Sequence, residues 1–251
     1  MEEAADQAPE IVFDRVNLDF NDTPLFADLS LRLVAAQTTC ILGPSGCGKS
    51  TLLKLIAGVS PLPFSGAIAF LPDTPKNRQV AWMGQNDLLL PWLCLVDNVL
   101  LGARLRHQLD ADLRAKAMHL IAEAGLSGSE QALPATLSGG MRQRVALLRT
   151  LMEDRRILLM DEPFSALDAL TRVRLQNLAA RLTKGATVVL VTHDPLEALR
   201  LGDRIVVLAG SPIQVAEILI PGGQTPREVG EHSLSEHYRH LLGLLMQGET
   251  V

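Results

Sequence analysis

Aromatic residues are scarce in this chain, at 4 % of 251 positions, and cysteines number only three. Cys40, Cys47 and Cys94 form no CxxC pair and cannot all be joined within one chain. A disulfide framework is therefore not expected, and a reducing cytosol fits best. No run approaches the eighteen or so uninterrupted apolar residues of a membrane-spanning helix. Met1 to Glu10 lacks both the basic flank and the apolar stretch of a signal peptide. Surplus positive charge is missing as well: the formal net charge of -5 argues against a general nucleic-acid binder. There is no internal repeat and no low-complexity tract. What is present, 47 % hydrophobic and 20 % charged residues, is a globular composition rather than a disordered one. The length suffices for a full core.

The periodicity alternates between strand and helix. Glu10 to Leu18 and Leu25 to Val34 read as strands joined by an Asn21–Pro24 turn, and Thr38 to Leu42 as a short buried strand. Gly48 to Gly58 reads as a helix closed by glycine. Two short strands follow, Ala67 to Phe70 and Gln79 to Met83. Helices are predicted over Val96–Arg106, Asp110–Ala124 and Met141–Met152, then near Ala169–Leu182. Strands return at Ile157–Met160, Thr187–Thr192 and Arg204–Leu208. Such alternation predicts an α/β fold with a mainly parallel sheet and a helical insertion. The tail after Gly210 shows little period before a short helix around Leu234–Met246.

Gly43-Pro44-Ser45-Gly46-Cys47-Gly48-Lys49-Ser50, followed by Thr51, fits GxxxxGK[ST] between a predicted strand and a predicted helix. The glycines let successive N–H groups turn toward phosphate oxygens, and the helix start adds partial positive charge. Lys49 can reach the β- and γ-phosphates of ATP, and the Ser50 hydroxyl can sit on Mg²⁺. A chance glycine-rich turn is the bland alternative. The strand–loop–helix context weighs against it.

Ile157 to Met160 is an unbroken apolar run, as in a strand buried on both faces, and Asp161 and Glu162 follow at once. Adjacent carboxylates there are costly unless they serve a cation or a reaction. In open parallel sheets ligands sit beyond the carboxyl ends of the strands. Asp161 is placed to hold Mg²⁺, directly or through water, and Glu162 to polarise an attacking water. His193, at the end of another apolar run, is a candidate contact to the γ-phosphate. Alone, the acidic pair would read as a turn and the histidine as a structural one.

Leu137-Ser138-Gly139-Gly140-Met141-Arg142-Gln143-Arg144 resembles the signature sequence of ABC-transporter ATPases. In order, the phosphate loop, Gln85, the signature, Asp161-Glu162, Ser165-Ala166-Leu167-Asp168 and His193 extend that resemblance over roughly residues 10 to 210. The resemblance implies a RecA-like P-loop NTPase core, an N-terminal antiparallel β subdomain and an inserted helical subdomain. The expected layout is a polar leader (1–9), one ATPase domain (10–215, helical part about 86–152) and a short tail (216–251). It further implies a homodimer sandwiching two ATPs, each closed by Ser138, Gly139 and Gly140 of the opposite subunit. By the same likeness Gln85 senses Mg²⁺ and couples to a membrane subunit, Glu162 is the general base, and Asp168 links the two sites. Phe20 is similar in position to the aromatic that stacks on adenine; its alternative is a plain core residue. Leu133-Pro134-Ala135-Thr136 and Gly84 depart from the usual pattern near the helical subdomain.

Leu88-Leu89-Leu90-Pro91-Trp92-Leu93 is apolar for a loop and reads either as core or as a docking face. With Met160 to Arg172 it resembles importer ATPases of the nitrate/sulfonate/taurine group, which includes systems for thiamine-pyrimidine precursors. That implies a separate permease, a substrate-binding protein and a peripheral position on the cytoplasmic face of the cell membrane. An exporter ATPase is the alternative. A soluble ABC protein of translation or repair fits less well, because paired ATPase domains and long coiled-coil insertions are missing.

Overall fold

The computed structural model describes residues 8–72, 80–228 and 232–248. Most of the leader, Gln79, and residues 229–231 and 249–251 of the tail lie outside them. A three-stranded antiparallel sheet has the order β2-β1-β4. It is built from β1 (Glu10–Phe20), β2 (Thr23–Leu33) and β4 (Ser65–Leu71). The β1–β2 turn is tighter than expected. Both strands extend to a two-residue turn in which Asn21 and Asp22 have φ of 50° and 60°, the pattern of a hairpin turn matched to strand twist.

The larger sheet has the order β5-β6-β7-β3-β8-β9. Its strands are β3 (Thr38–Leu42), β5 (Val80–Met83), β6 (Ile157–Asp161), β7 (Thr187–Val191), β8 (Arg204–Ala209) and β9 (Gln214–Leu219). All its pairings are parallel except β8 with β9. Strand alternation divides the interior into two cores. Cys40, Leu42, Leu158 and Met160 face one, with the helical part of the chain. Ile41, Ile157 and Leu159 face the other, with the small sheet and α1 (Lys49–Ala57). A strand buried on both faces needs a continuous apolar run, which Cys40–Leu42 of β3, Ile157–Met160 of β6 and Val188–Val191 of β7 supply.

Between β5 and β6 lie α2 (Leu95–Val99), α3 (Leu101–Leu105), α4 (Ala111–Glu123) and α5 (Gly139–Leu151). The expected single helix over Val96–Arg106 is two pieces, because Leu100 takes φ -89° and ψ 6° at their junction. The helix α6 (Ala169–Leu182) has its predicted bounds, and α7 (Pro195–Leu201) follows β7. Beyond Gly210 the chain is more regular than its pattern suggests: β9 pairs with β8, and α8 spans His232–Gly248. Arg227 fastens this tail by donating to the carbonyls of Leu199, Gly202 and Pro221.

Candidate active site

The strands β6, β7 and β3 are neighbours, so their carboxyl ends bring the phosphate loop, Asp161-Glu162 and His193 to one edge of the sheet. The phosphate loop needs its glycines. A Cβ on Gly43 would stand 2.8 Å from the Leu208 carbonyl oxygen. Gly48 has φ 77°, and a Cβ there would press on Leu25 and Phe26 at 3.2 Å. Gly48 caps α1 without a side-chain hydrogen bond, so the first N–H groups of that helix remain available to an anion. Lys49 is buried, and its Nζ donates to the carbonyls of Gly43 and Pro44, each at 2.7 Å. Those carbonyls fix the ammonium against the loop, and Lys49 lines a cavity beside it.

Asp161 is buried at the end of β6 and accepts a hydrogen bond from the Ser50 side chain. Burial raises its pKa; the Ser50 bond works against the rise and the Glu162 carboxylate adds to it. Glu162 has φ 49°, a left-handed backbone that costs of order 1 kcal/mol or more in a non-glycine residue. The surroundings hold it there: its N–H donates to the Val191 carbonyl at 2.9 Å. Its carboxylate lies 3.1 Å from His193 Nδ1. A cavity of about 300 Å³ is lined by Ser45, Gly46, Gly48 to Thr51, Gln85, Asp161 and Glu162. Ser50, Gln85 and Asp161 thus offer hydroxyl, amide and carboxylate oxygens on one small cavity. This is a hard oxygen donor set of the kind that fits Mg²⁺.

The other expected site residues lie outside that cavity. Ser138 caps α5, accepting from the Met141 N–H at 3.2 Å, and Ser138 and Gly139 are exposed. Asp168 caps α6 through the Thr171 N–H, and that bond holds its carboxyl below the usual range. Phe20 is not a core residue: it is 52 % exposed. It lines a second cavity, of about 450 Å³, with Pro44 to Cys47 and residues 209–213.

A family model for the ABC transporter matches residues 26–165. The chain belongs to the ABC transporter family. It is a transport ATPase that binds ATP. An ABC transporter ATP-binding protein of Haemophilus influenzae is 42 % identical over 231 residues, covering 90 % of this chain and 95 % of that one. The aliphatic sulfonates import ATP-binding protein SsuB 1 of Rhodococcus jostii is 42 % identical over 233 residues, covering 92 % and 91 %. Among solved structures, the dimeric ATP-binding cassette MJ0796, captured after hydrolysis with ADP and Pi, has a TM-score of 0.72. It is 27 % identical and covers 85 % of this chain and all of that one.

Within this ABC ATPase the structure also ties together residues to which the sequence pattern assigned no task. Gln143, in the signature helix α5, donates to the Glu162 carbonyl at 2.9 Å and accepts from the Ala166 N–H at 2.8 Å. Arg142 pairs with Asp87 at 3.0 Å, while Arg149 donates to the carbonyls of Asp87 and Leu88. Asn98 is fully buried. It accepts from the Leu90 N–H and donates to the carbonyls of Leu90, Leu93 and Cys94. The loop held by these bonds buries Leu89 and turns Trp92 outward, 71 % exposed. Leu88 is exposed too, so the core reading fails for both. A polar residue inside an apolar helix face was the signal for Asn98. Arg149 offered none, since its partners are main-chain carbonyls.

Proposed function

We propose that this chain is the ATP-hydrolysing subunit of an importer, working as a homodimer on the cytoplasmic face of the cell membrane. A separate permease would bind the Trp92 loop, and a substrate-binding protein would deliver cargo from the other side. The reading rests on one observation above all. Lys49, Ser50, Gln85, Asp161 and Glu162 share a single cavity, and the chain leaving Gln85 runs straight into an exposed apolar loop. The import direction is supported by likeness to sulfonate-import proteins, one of them from Rhodococcus jostii. Their cargo suggests a small sulfonate here, although none of these residues would touch it. No helix among the described residues is long and apolar enough to cross a membrane, which accords with peripheral seating on a permease.

In this reading Lys49 and the loop N–H groups bind the ATP phosphates, with Phe20 stacked on adenine. Ser50, Asp161 and Gln85 would hold Mg²⁺, which would offset charge on the β- and γ-phosphates. Glu162 takes the proton of a water that attacks the γ-phosphorus as the bond to ADP breaks. His193, bonded through Nδ1 to Glu162, keeps the γ-phosphate in line. Ser138 to Gly140 close the ATP site of the partner subunit, which suits the exposure of Ser138 and Gly139 and their place outside the lining of the subunit's own phosphate cavity.

Replacing Glu162 by Gln tests the assignment. The variant should bind MgATP normally but turn over about 10²–10⁴-fold more slowly, the usual loss of a general base. It should also collect as an ATP-bound dimer by light scattering. Wild-type turnover would rule Glu162 out as the base.

A further inference from the structure

The turn that carries His193 is organised by a buried acid outside the phosphate cavity. Thr192, the residue before His193, is 2 % exposed, and Glu197, on the first turn of α7, is 6 % exposed. The Thr192 hydroxyl oxygen accepts the Asp194 N–H at 3.1 Å, and its own proton points to Glu197 Oε2 at 2.5 Å. The other carboxylate oxygen accepts from the Gln176 amide of α6 at 3.4 Å. Asp194 accepts the N–H groups of Leu196 and Glu197 and pairs with Arg172, also of α6, at 3.5 Å. His193 is therefore bracketed: the hydroxyl before it holds the N–H after it, and that hydroxyl is anchored on one carboxylate.

We propose that Glu197 is a positioning residue for ATP hydrolysis, setting the direction of His193 toward Glu162 through the Thr192 hydroxyl. This rests on the reading of Glu162 and His193 given above. Packing does not require an acid at this position, since Leu or Met would fill it without the cost of burying a charge. A carboxylate does what an apolar side chain cannot. As a pure acceptor it forces Thr192 to donate to it, which leaves the hydroxyl lone pairs for the Asp194 N–H. The same acid links His193 to α6, the helix that starts at Asp168, so the proposed cross-dimer residue and the γ-phosphate histidine share a support.

The groups around Glu197 decide how it titrates. Thr192 and Asp194 face it from the turn, Gln176 and Arg172 from α6, and the buried Cys40 thiol from β3. On its own helix Arg200 is occupied by Asn177 and the Arg227 carbonyl. Burial pushes Glu197 up to about 7, against the Thr192 hydrogen bond, with the Asp194 charge adding to the rise. Once protonated, its O–H competes with the Asp194 N–H for the Thr192 oxygen. The bracket is therefore firmest in the ionised form and loosens as pH falls through neutrality.

The test measures ATP turnover of the full chain between about pH 5.5 and 8.5, beside nucleotide affinity and thermal melts. Thr192→Val keeps the volume and removes the hydroxyl. It should lower kcat roughly 10–10²-fold, the scale of a misplaced reacting group, with KM for ATP within about 3-fold. Thr192→Ser should restore turnover. Glu197→Gln, whose amide oxygen still accepts from Thr192, should keep most of the turnover and lose the wild-type inflection near neutral pH. Wild-type turnover in Thr192→Val, or an unchanged inflection in Glu197→Gln, would overturn the proposal. His193→Ala is the companion measurement. If it abolishes hydrolysis while Thr192→Val is unaffected, only the positioning role falls. If it hydrolyses normally, the site reading falls and this one with it.

Discussion

The hydrolytic cleft and the Trp92 loop are separated by only a few residues of chain, yet they are built in opposite ways. In the cleft, polar groups are buried or half-buried and placed by the backbone: Lys49 by two loop carbonyls, Glu162 by a left-handed turn fixed to Val191. In the loop, apolar groups are exposed and placed by side chains, Asn98 from within and Arg149 from the signature helix. The first arrangement suits a reaction that tolerates no displacement. The second suits a contact that must be firm but reachable, with Trp92 as its anchor. Gln85 lies at the seam, lining the phosphate cavity at the start of the loop.

This contrast breaks first in the cleft. Lys49→Ala should cut turnover by about 10²-fold or more, through lost phosphate binding and charge stabilisation. Normal ATP affinity with normal turnover would exclude the phosphate-loop role. Mixed with Ser138→Arg chains, it should give heterodimers in which both lesions fall on one ATP site and the other site works. Equal damage to both sites would show that the signature residues do not cross the dimer.

A smaller effect is expected at the support of the loop. Arg149→Ala leaves the carbonyls of Asp87 and Leu88 without their donor, and burial has already lowered the pKa of this guanidinium. The isolated chain should lose about 1–3 kcal/mol of stability in denaturant melts. ATP turnover per folded molecule should hold, while stimulation by the permease falls. A matching loss of basal turnover would mean that the clamp serves the cleft instead.

The cleft was far more legible in the sequence than the loop. Strands buried on both faces must be apolar runs, so a loop of glycines or a pair of acids at their ends stands out, and Leu42, Met160 and Thr192 mark three such ends. Helix α6 was expected near Ala169–Leu182 and is found there, with Asp168 as its cap. The edge strand β9 escaped because it is half-exposed and mixes Gln214 and Glu217 with Ile218 and Leu219. The break at Leu100 escaped as well, since apolar spacing runs through it. Arg149 works through main-chain carbonyls of a distant loop, and Glu197 through the Thr192 hydroxyl and an amide of α6; apolar periodicity records neither.

Under the proposed function the division of cleft from loop is one between hydrolysis and permease contact, each resident in its own construction. Trp92→Ala measures it most directly, with a melt and an ATPase rate on the isolated chain beside co-purification with the membrane subunit and transport. An exposed side chain away from special features changes stability by about 0.5 kcal/mol or less, so the melt and the rate should match wild type. Permease binding and transport should fail. A melt lowered by many degrees, or unchanged permease binding and transport, would overturn that division.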